Sequence, residues 1–171
     1  MGAPPPHPHR NLLAAVLFTV VTLDQASKAV VRLHLQLGDA IPVLGSLLGI
    51  THVENRGIAW GLLEASSFRL PLMTVVSLVT FVVLAAWFRR LQAYERSLAW
   101  TLCLLMAGAV GNFIDRLLYR EVTDFVAVAA PAWLGGRWPI FNLADLAITA
   151  GIVLFGWHLL TRRDDLGQDQ P

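Results

Sequence analysis

GAVGNFIDRLLYREVTDF, residues Gly108–Phe125, begins as the end of an apolar run and turns polar with no turn signal between. On a helix Asn112, Asp115 and Arg116 share one face, because spacings of three and four bring side chains together. Asp124 follows in the same polar stretch. A second acidic element, FNLAD at 141–145, sets Asp145 at the start of the next apolar run. The remainder of the chain has to explain why acids stand at the margins of apolar segments.

Composition supplies the setting. Of 171 residues, 56% are hydrophobic and 15% charged, with mean hydropathy +0.58. Soluble domains carry roughly 25% charged residues, so this is the composition of a membrane protein. A net charge of +1 gives no electrostatic case for a nucleic-acid partner. The single cysteine, Cys103, lies inside an apolar run. It has no intramolecular disulfide partner and reads as a small buried hydrophobe.

Four apolar segments follow a proline-rich head, MGAPPPHPH. The head, residues 1–10, is expected to be disordered, with His7 and His9 solvated. Pro6 stands where myristoylation needs Ser or Thr, which argues against lipidation. The segments run over about 12–31, 70–88, 98–114 and 141–160. A bilayer core of ~30 Å needs ~20 helical residues, so each is long enough to span. No Ala-x-Ala site closes the first, which reads as an uncleaved anchor. The expected fold is therefore mainly α and integral to the membrane. Four transmembrane helices and a small extracytoplasmic β-sheet form one membrane domain over 11–163, followed by a tail at 164–171.

Arginines orient this domain. Arg89, Arg90 and Arg96 crowd the short link between spans two and three. Arg10 precedes span one, and Arg162 and Arg163 close span four. The two long connections carry Arg32, Arg56 and Arg69, then Arg116, Arg120 and Arg137, spread more thinly. Density thus predicts both termini in the cytoplasm. Trp87, Trp100 and Trp157 then mark the inner ends, and Trp60, Trp133 and Trp138 the outer connections. In this topology Asp24 and Lys28, Asn112, Asp115 and Arg116, and Asn142 and Asp145 all fall at the outer leaflet boundary. Ionisable groups at membrane depth are costly, and a cluster drawn from separate helices marks a functional site.

The outer connections read differently from one another. Ile41–Leu44, Gly45-Ser46 and Leu47–Val53 predict a hairpin with a two-residue turn. Ile58–Leu63 is expected to add a third strand, completing an outer β region over about 32–69. The 116–139 connection, with Pro131, Gly135 and Gly136, is expected to be an irregular loop whose aromatic residues dip into the interface.

Each polar element has a plain alternative. Asp24 and Lys28, four apart with the acid first, suit a structural ion pair on a helix. Asn112, Asp115 and Arg116 would serve equally as an interhelical clamp, with Gly108 and Gly111 allowing close approach. Asn142, three residues before Asp145, resembles an N-cap with an acid at the third position. Asp124, between Thr123 and Phe125, would pass for a surface acid. Spacing alone does not select two acids from four.

The motifs taken together resemble the lipoprotein signal peptidase family, the type II signal peptidases of bacteria. DQASK at 24–28 resembles its first motif and Asn55-Arg56-Gly57-Ile58-Ala59-Trp60 its second. Gly108–Arg116 resembles its third, and VTDF at 122–125 and FNLAD at 141–145 resemble the motifs that carry its two catalytic aspartates. Ala107 departs from a position where glycine is common, which bears on packing. The resemblance covers 24–145 and leaves out the head and the tail.

What this implies is an aspartic endopeptidase of the bacterial inner membrane, with Asp124 and Asp145 as the catalytic pair. It would cut a prolipoprotein before its diacylglyceryl-modified cysteine, near the outer leaflet, needing membrane lipid but no metal or cofactor. It is expected to act as a monomer. Asn55, Asn112, Arg116 and Asn142 would hold the substrate, and Asp24, Lys28 and Asp115 would support them through ion pairs. Two close acids sharing a proton split their titration, so one donates while the other activates water. A helix N-terminus favours negative charge at Asp145, which points toward Asp124 as the holder of the proton, although the titration belongs to the pair and the sequence does not decide between the two. The competing readings are a four-span transporter using the polar cluster as a proton relay and an accessory protein with no chemistry. The chain has no HExxH or Gly-x-Ser-x-Gly motif to support another protease class.

Overall fold

The apolar runs form helices because an isolated bilayer-spanning segment must satisfy its backbone internally. A computed structural model describes residues 7–55 and 68–167. Helix α1 covers Arg10–His34, α2 Arg69–Phe88, α3 Arg96–Tyr119 and α4 Leu143–Gly167. Each contains a stretch long and apolar enough to cross a membrane, the shortest being 19 residues. At ~1.5 Å per residue that length matches a hydrocarbon core of ~30 Å.

Helix α3 is the centre of the bundle and packs against α1, α2 and α4. Of its most apolar window 56% is buried inside the protein, against 0% for α2. The core joins Leu98, Leu102, Cys103 and Met106 of α3 to Val16 of α1, to Phe88 at the end of α2 and to Leu91 just beyond it. The helices alternate up and down. The 89–95 link and the described ends of the chain therefore share one end of the bundle, and a small sheet occupies the other.

That sheet has three antiparallel strands in the order β1-β2-β3. Strand β1 is Ala40–Leu44, β2 Leu48–Asn55 and β3 Val122–Val128. β1 is exposed along its whole length. β3 is covered on its outer edge by the 137–141 segment, where the Val126 N–H donates to the Phe141 carbonyl at 2.8 Å.

Several expectations are corrected. The 116–139 connection is not an irregular loop. α3 runs on to Tyr119, Arg120 turns the chain at φ 66°, and β3 follows at once. A register shift between Ile50 and Val53 marks a bulge in β2, beyond which Val53 stands opposite Asp124. The hairpin turn has three residues rather than two, since Leu44 pairs with Leu48. The strand expected at Ile58–Leu63, like Arg56–Trp60 of the second motif, lies outside the described residues. α1 and α3 outrun the expected 12–31 and 98–114, because their polar ends find partners inside the bundle. His7 and His9 are not solvated. The His7 ring lies 4.7 Å from that of Phe88, and His9 Nε2 bonds the Gln92 carbonyl at 2.9 Å.

Candidate active site

The site grows from the first turn of α4. A helix start leaves N–H groups without intrahelical partners. Here the Asp145 N–H donates to Asn142 Oδ1 at 2.9 Å, and the Asn142 N–H donates to Asp145 Oδ2 at 3.3 Å. This reciprocal pair is a capping box with Asn and Asp in the two roles. A third N–H, from Ala144, donates to Asp24 Oδ1 of α1 at 2.9 Å.

The capping residue also reaches the sheet. Asn142 Nδ2 donates to Asp124 Oδ1 at 2.6 Å, and Asn55 Nδ2 donates to Asp124 Oδ2 at 2.9 Å. Both oxygens of Asp124 are thus held, one from α4's cap and one from the end of β2. On the other side, Asn112 Nδ2 of α3 donates to Asp145 Oδ1 at 2.7 Å. Asn112 Oδ1 accepts from Asn142 Nδ2 at 3.1 Å. Two amide side chains therefore link the two carboxyls, which come from different elements.

Behind them is a buried ion cluster. Lys28 Nζ uses all three protons: on Asp24 Oδ2 at 2.8 Å, Asp115 Oδ2 at 3.0 Å and Asn112 Oδ1 at 3.0 Å. Lys28, Asp24 and Asp115 are fully buried. A buried charge is tolerated only when paired and hydrogen-bonded, and each of these is. Asp115 Oδ2 also accepts from the Thr123 N–H at 3.1 Å, which ties β3 to α3. Gly111 lets the helices meet here, because a Cβ on it would stand 2.7 Å from Asp24 Oδ2 and 3.0 Å from the Ala144 Cβ.

Asp124 and Asp145 differ in environment. Asp124 is buried and Asp145 half-buried. Burial pushes the Asp124 carboxyl up from 3.8 to about 7. The Asn55 hydrogen bond opposes that rise and the nearby charge of Asp145 adds to it. A carboxyl that holds its proton near neutrality, linked to a second, half-buried carboxyl, is equipped for acid–base chemistry.

The structure gathers Asp124, Asp145, Asn55, Asn112, Asn142, Asp24, Lys28 and Asp115 into one hydrogen-bonded network. Arg116 stands at its border, donating to the Asn112 carbonyl at 3.2 Å and to Ser77 Oγ at 3.4 Å. Among the described residues it makes no hydrogen bond or salt bridge to Asp124 or Asp145, whose charges act on it from farther away. Sequence reasoning overlooked Gln25, whose Nε2 donates to the Gly111 carbonyl, Asp115 Oδ1 and Asp24 Oδ2 at 3.0–3.2 Å. Its place inside DQASK, beside Asp24, was the available signal. Arg32 was counted only as a charge. Among the described residues no three His, Cys, Asp or Glu side chains are arranged to hold a metal ion.

Known proteins carry the same architecture. A family profile for signal peptidase (SPase) II matches residues 16–161. The lipoprotein signal peptidase of Geobacillus kaustophilus is 40% identical over 141 residues, 82% of this chain and 87% of its own. That of Geobacter sulfurreducens is 40% identical over 153 residues, covering 90% and 94%. A bacterial membrane enzyme solved by the in meso method at 2.3 Å superposes with a TM-score of 0.82 at 29% identity, over 95% of both chains. A second, solved at 1.9 Å, gives 0.78 at 31% identity, over 94% of this chain and 96% of its own. The matched profile spans both acidic motifs and reaches into all four helices, and on these grounds the chain belongs to the signal peptidase II family.

Proposed function

We propose that this peptidase is an aspartic endopeptidase that removes the signal peptide from bacterial prolipoproteins. Cleavage falls before the diacylglyceryl-modified cysteine, with Asp124 and Asp145 as the catalytic pair. The observation that carries this reading is the linkage of the two carboxyls through Asn142 and Asn112, with Asp124 held near neutrality. Asp145 takes a proton from a water that attacks the scissile carbonyl carbon, while Asp124 donates its proton to the carbonyl oxygen. In the collapse the C–N bond breaks, Asp145 gives its proton to the leaving amine nitrogen, and Asp124 regains a proton from a hydroxyl of the tetrahedral species, which resets the pair. Arg116, Asn55, Asn112 and Asn142 are the groups that align the substrate backbone.

The arginine density of the 89–95 link supports a cytoplasmic placement of both termini. The sheet end then meets the outer leaflet, where a diacylglyceryl chain can lie between helices with its cysteine at the depth of the acids. Reporter fusions at residues 45 and 130 should report outside and one at residue 93 inside. A cytoplasmic signal at residue 130 would overturn this orientation.

The deciding experiment is cleavage of lipidated and unlipidated precursor by purified protein in detergent. Asp124→Asn and Asp145→Asn should stay folded and lose nearly all cleavage, and wild type should process the lipidated form far faster. Substantial cleavage by either folded variant sinks the aspartic reading, and transport without cleavage would revive the proton relay.

A further inference from the structure

We propose that Arg32 is a positioning residue for this cleavage: it steadies the strand that carries Asp124 by holding Thr123. The proposal rests on the reading of Asp124 given above. Arg32 lies in the last turns of α1 with its side chain only 19% exposed. Its NH1 donates to Thr123 Oγ1 at 2.9 Å and stands 3.7 Å from Asp115 Oδ1. Its guanidinium carbon sits 4.1 Å from the centre of the Tyr119 ring, a cation–π contact that fixes the fork's plane.

These partners surround one corner. Tyr119 ends α3, Arg120 turns the chain in the left-handed region, and Thr123 precedes Asp124 on β3. Successive strand residues face opposite sides, so Thr123 looks toward α1 while Asp124 looks toward Asn55 and Asn142. The Thr123 N–H is already held by Asp115. Arg32 adds a second hold on the same residue from a different helix, so β3 cannot rotate at Thr123 without breaking both. Arg32 is also a second cation for a cluster in which Lys28 faces two carboxylates.

A positioning role predicts a defect in turnover that runs through the Thr123 hydroxyl. Thr123→Val and Arg32→Met should each lower kcat about fivefold with KM within about twofold of wild type. Thr123→Ser, which keeps the hydroxyl, should keep wild-type kcat. In the double variant Arg32→Met/Thr123→Val the losses should not multiply, because one hydrogen bond is being removed twice. A merely structural arginine would lower thermal stability and multiply with Thr123→Val in kcat.

Wild-type kcat in folded Thr123→Val overturns the proposal, as does a loss confined to KM. So does a double variant about 25-fold impaired, the product of the single losses. If Arg32→Met does not accumulate, the Val and Ser variants decide alone. Full cleavage by Asp124→Asn would overturn the catalytic reading itself. An inactive Asp124→Asn beside an unaffected Thr123→Val overturns only the role of Arg32.

Discussion

Helix α3 buries side chains by two different rules along its length. From Leu98 to Ala107 it buries Leu98, Ala99, Leu102, Cys103, Met106 and Ala107 among other apolar groups. From Gly111 to Asp115 it buries Asn112 and Asp115 against Lys28, Asn142 and the Thr123 N–H. In lipid, apolar helices gain little from leaving their surroundings, so the first half is held by packing. Packing has no fixed partner, and neighbours can shift to share a loss. The second half is held by hydrogen bonds with named partners, and removing one side chain strands another. The apolar half thus governs how firmly the bundle stays together. The polar half governs where α4 and β3 stand.

The largest effect should come from the acids that the polar half positions. On the proposed reading, in which the two act as a unit, Asp124→Asn and Asp145→Asn should each lower kcat by about a thousandfold or more, and the double variant should be hardly worse than either. Cleavage of lipidated precursor reads this, with thermal unfolding as control. Losses that multiply would split the pair.

Next is a direct contest between the halves. Lys28→Met leaves Asp24 and Asp115 buried without their shared cation and should cost about 3–5 kcal/mol. Leu102→Ala should cost a comparable ~2–5 kcal/mol through a cavity. Both should lower Tm. Below its Tm, Leu102→Ala should cleave at the wild-type kcat while Lys28→Met does not. Equal kcat for the two variants would erase the distinction.

Arg116→Lys sharpens the border of the polar half. Both bonds, to the Asn112 carbonyl and to Ser77, leave from Nη1; an ammonium could keep them but lacks the second arm of the fork that would hold a substrate carbonyl. A fall in kcat of about tenfold is expected with little change in Tm. Wild-type turnover would remove Arg116 from the site.

The last effect concerns pH and is spread over the whole window. Asp124 is raised from 3.8 to about 7 in the folded protein. Between those values the native state holds a proton that the unfolded chain has released. The stability linked to this proton is full below about pH 4 and is lost as pH rises through about 7. Tm should therefore decline across that window, and Asp124→Asn should flatten the decline. Parallel curves for the two proteins would show that Asp124 does not carry it.

Much of this was legible in the residues. Uncharged runs gave the four spans, because bilayer thickness leaves few alternatives. The three-residue spacing of Asn142 and Asp145 was readable as a cap. β3 was missed although five residues of VTDFVAV are β-branched or aromatic. Its burial does not alternate, since α1 meets the Thr123 face and the cap of α4 the Asp124 face, and without alternation a strand looks like loop. The bonds of Gln25 and Arg32 were not readable at all, since they join residues 86–91 positions apart. Only the packing of α1 against α3 and β3 brings those residues together.

Asn142 caps α4 with its carbonyl oxygen and grips Asp124 with its amide nitrogen. A single side-chain rotation would therefore uncap the helix and release the acid together, and would break the bond to Asn112 as well. Fraying of that first turn would idle the enzyme reversibly, with no global unfolding to reveal it. The Asp145 amide proton, shielded only while Asn142 is in place, becomes the reporter of this idling. Its exchange rate with deuterium would count the fraction of molecules whose site is assembled at any moment.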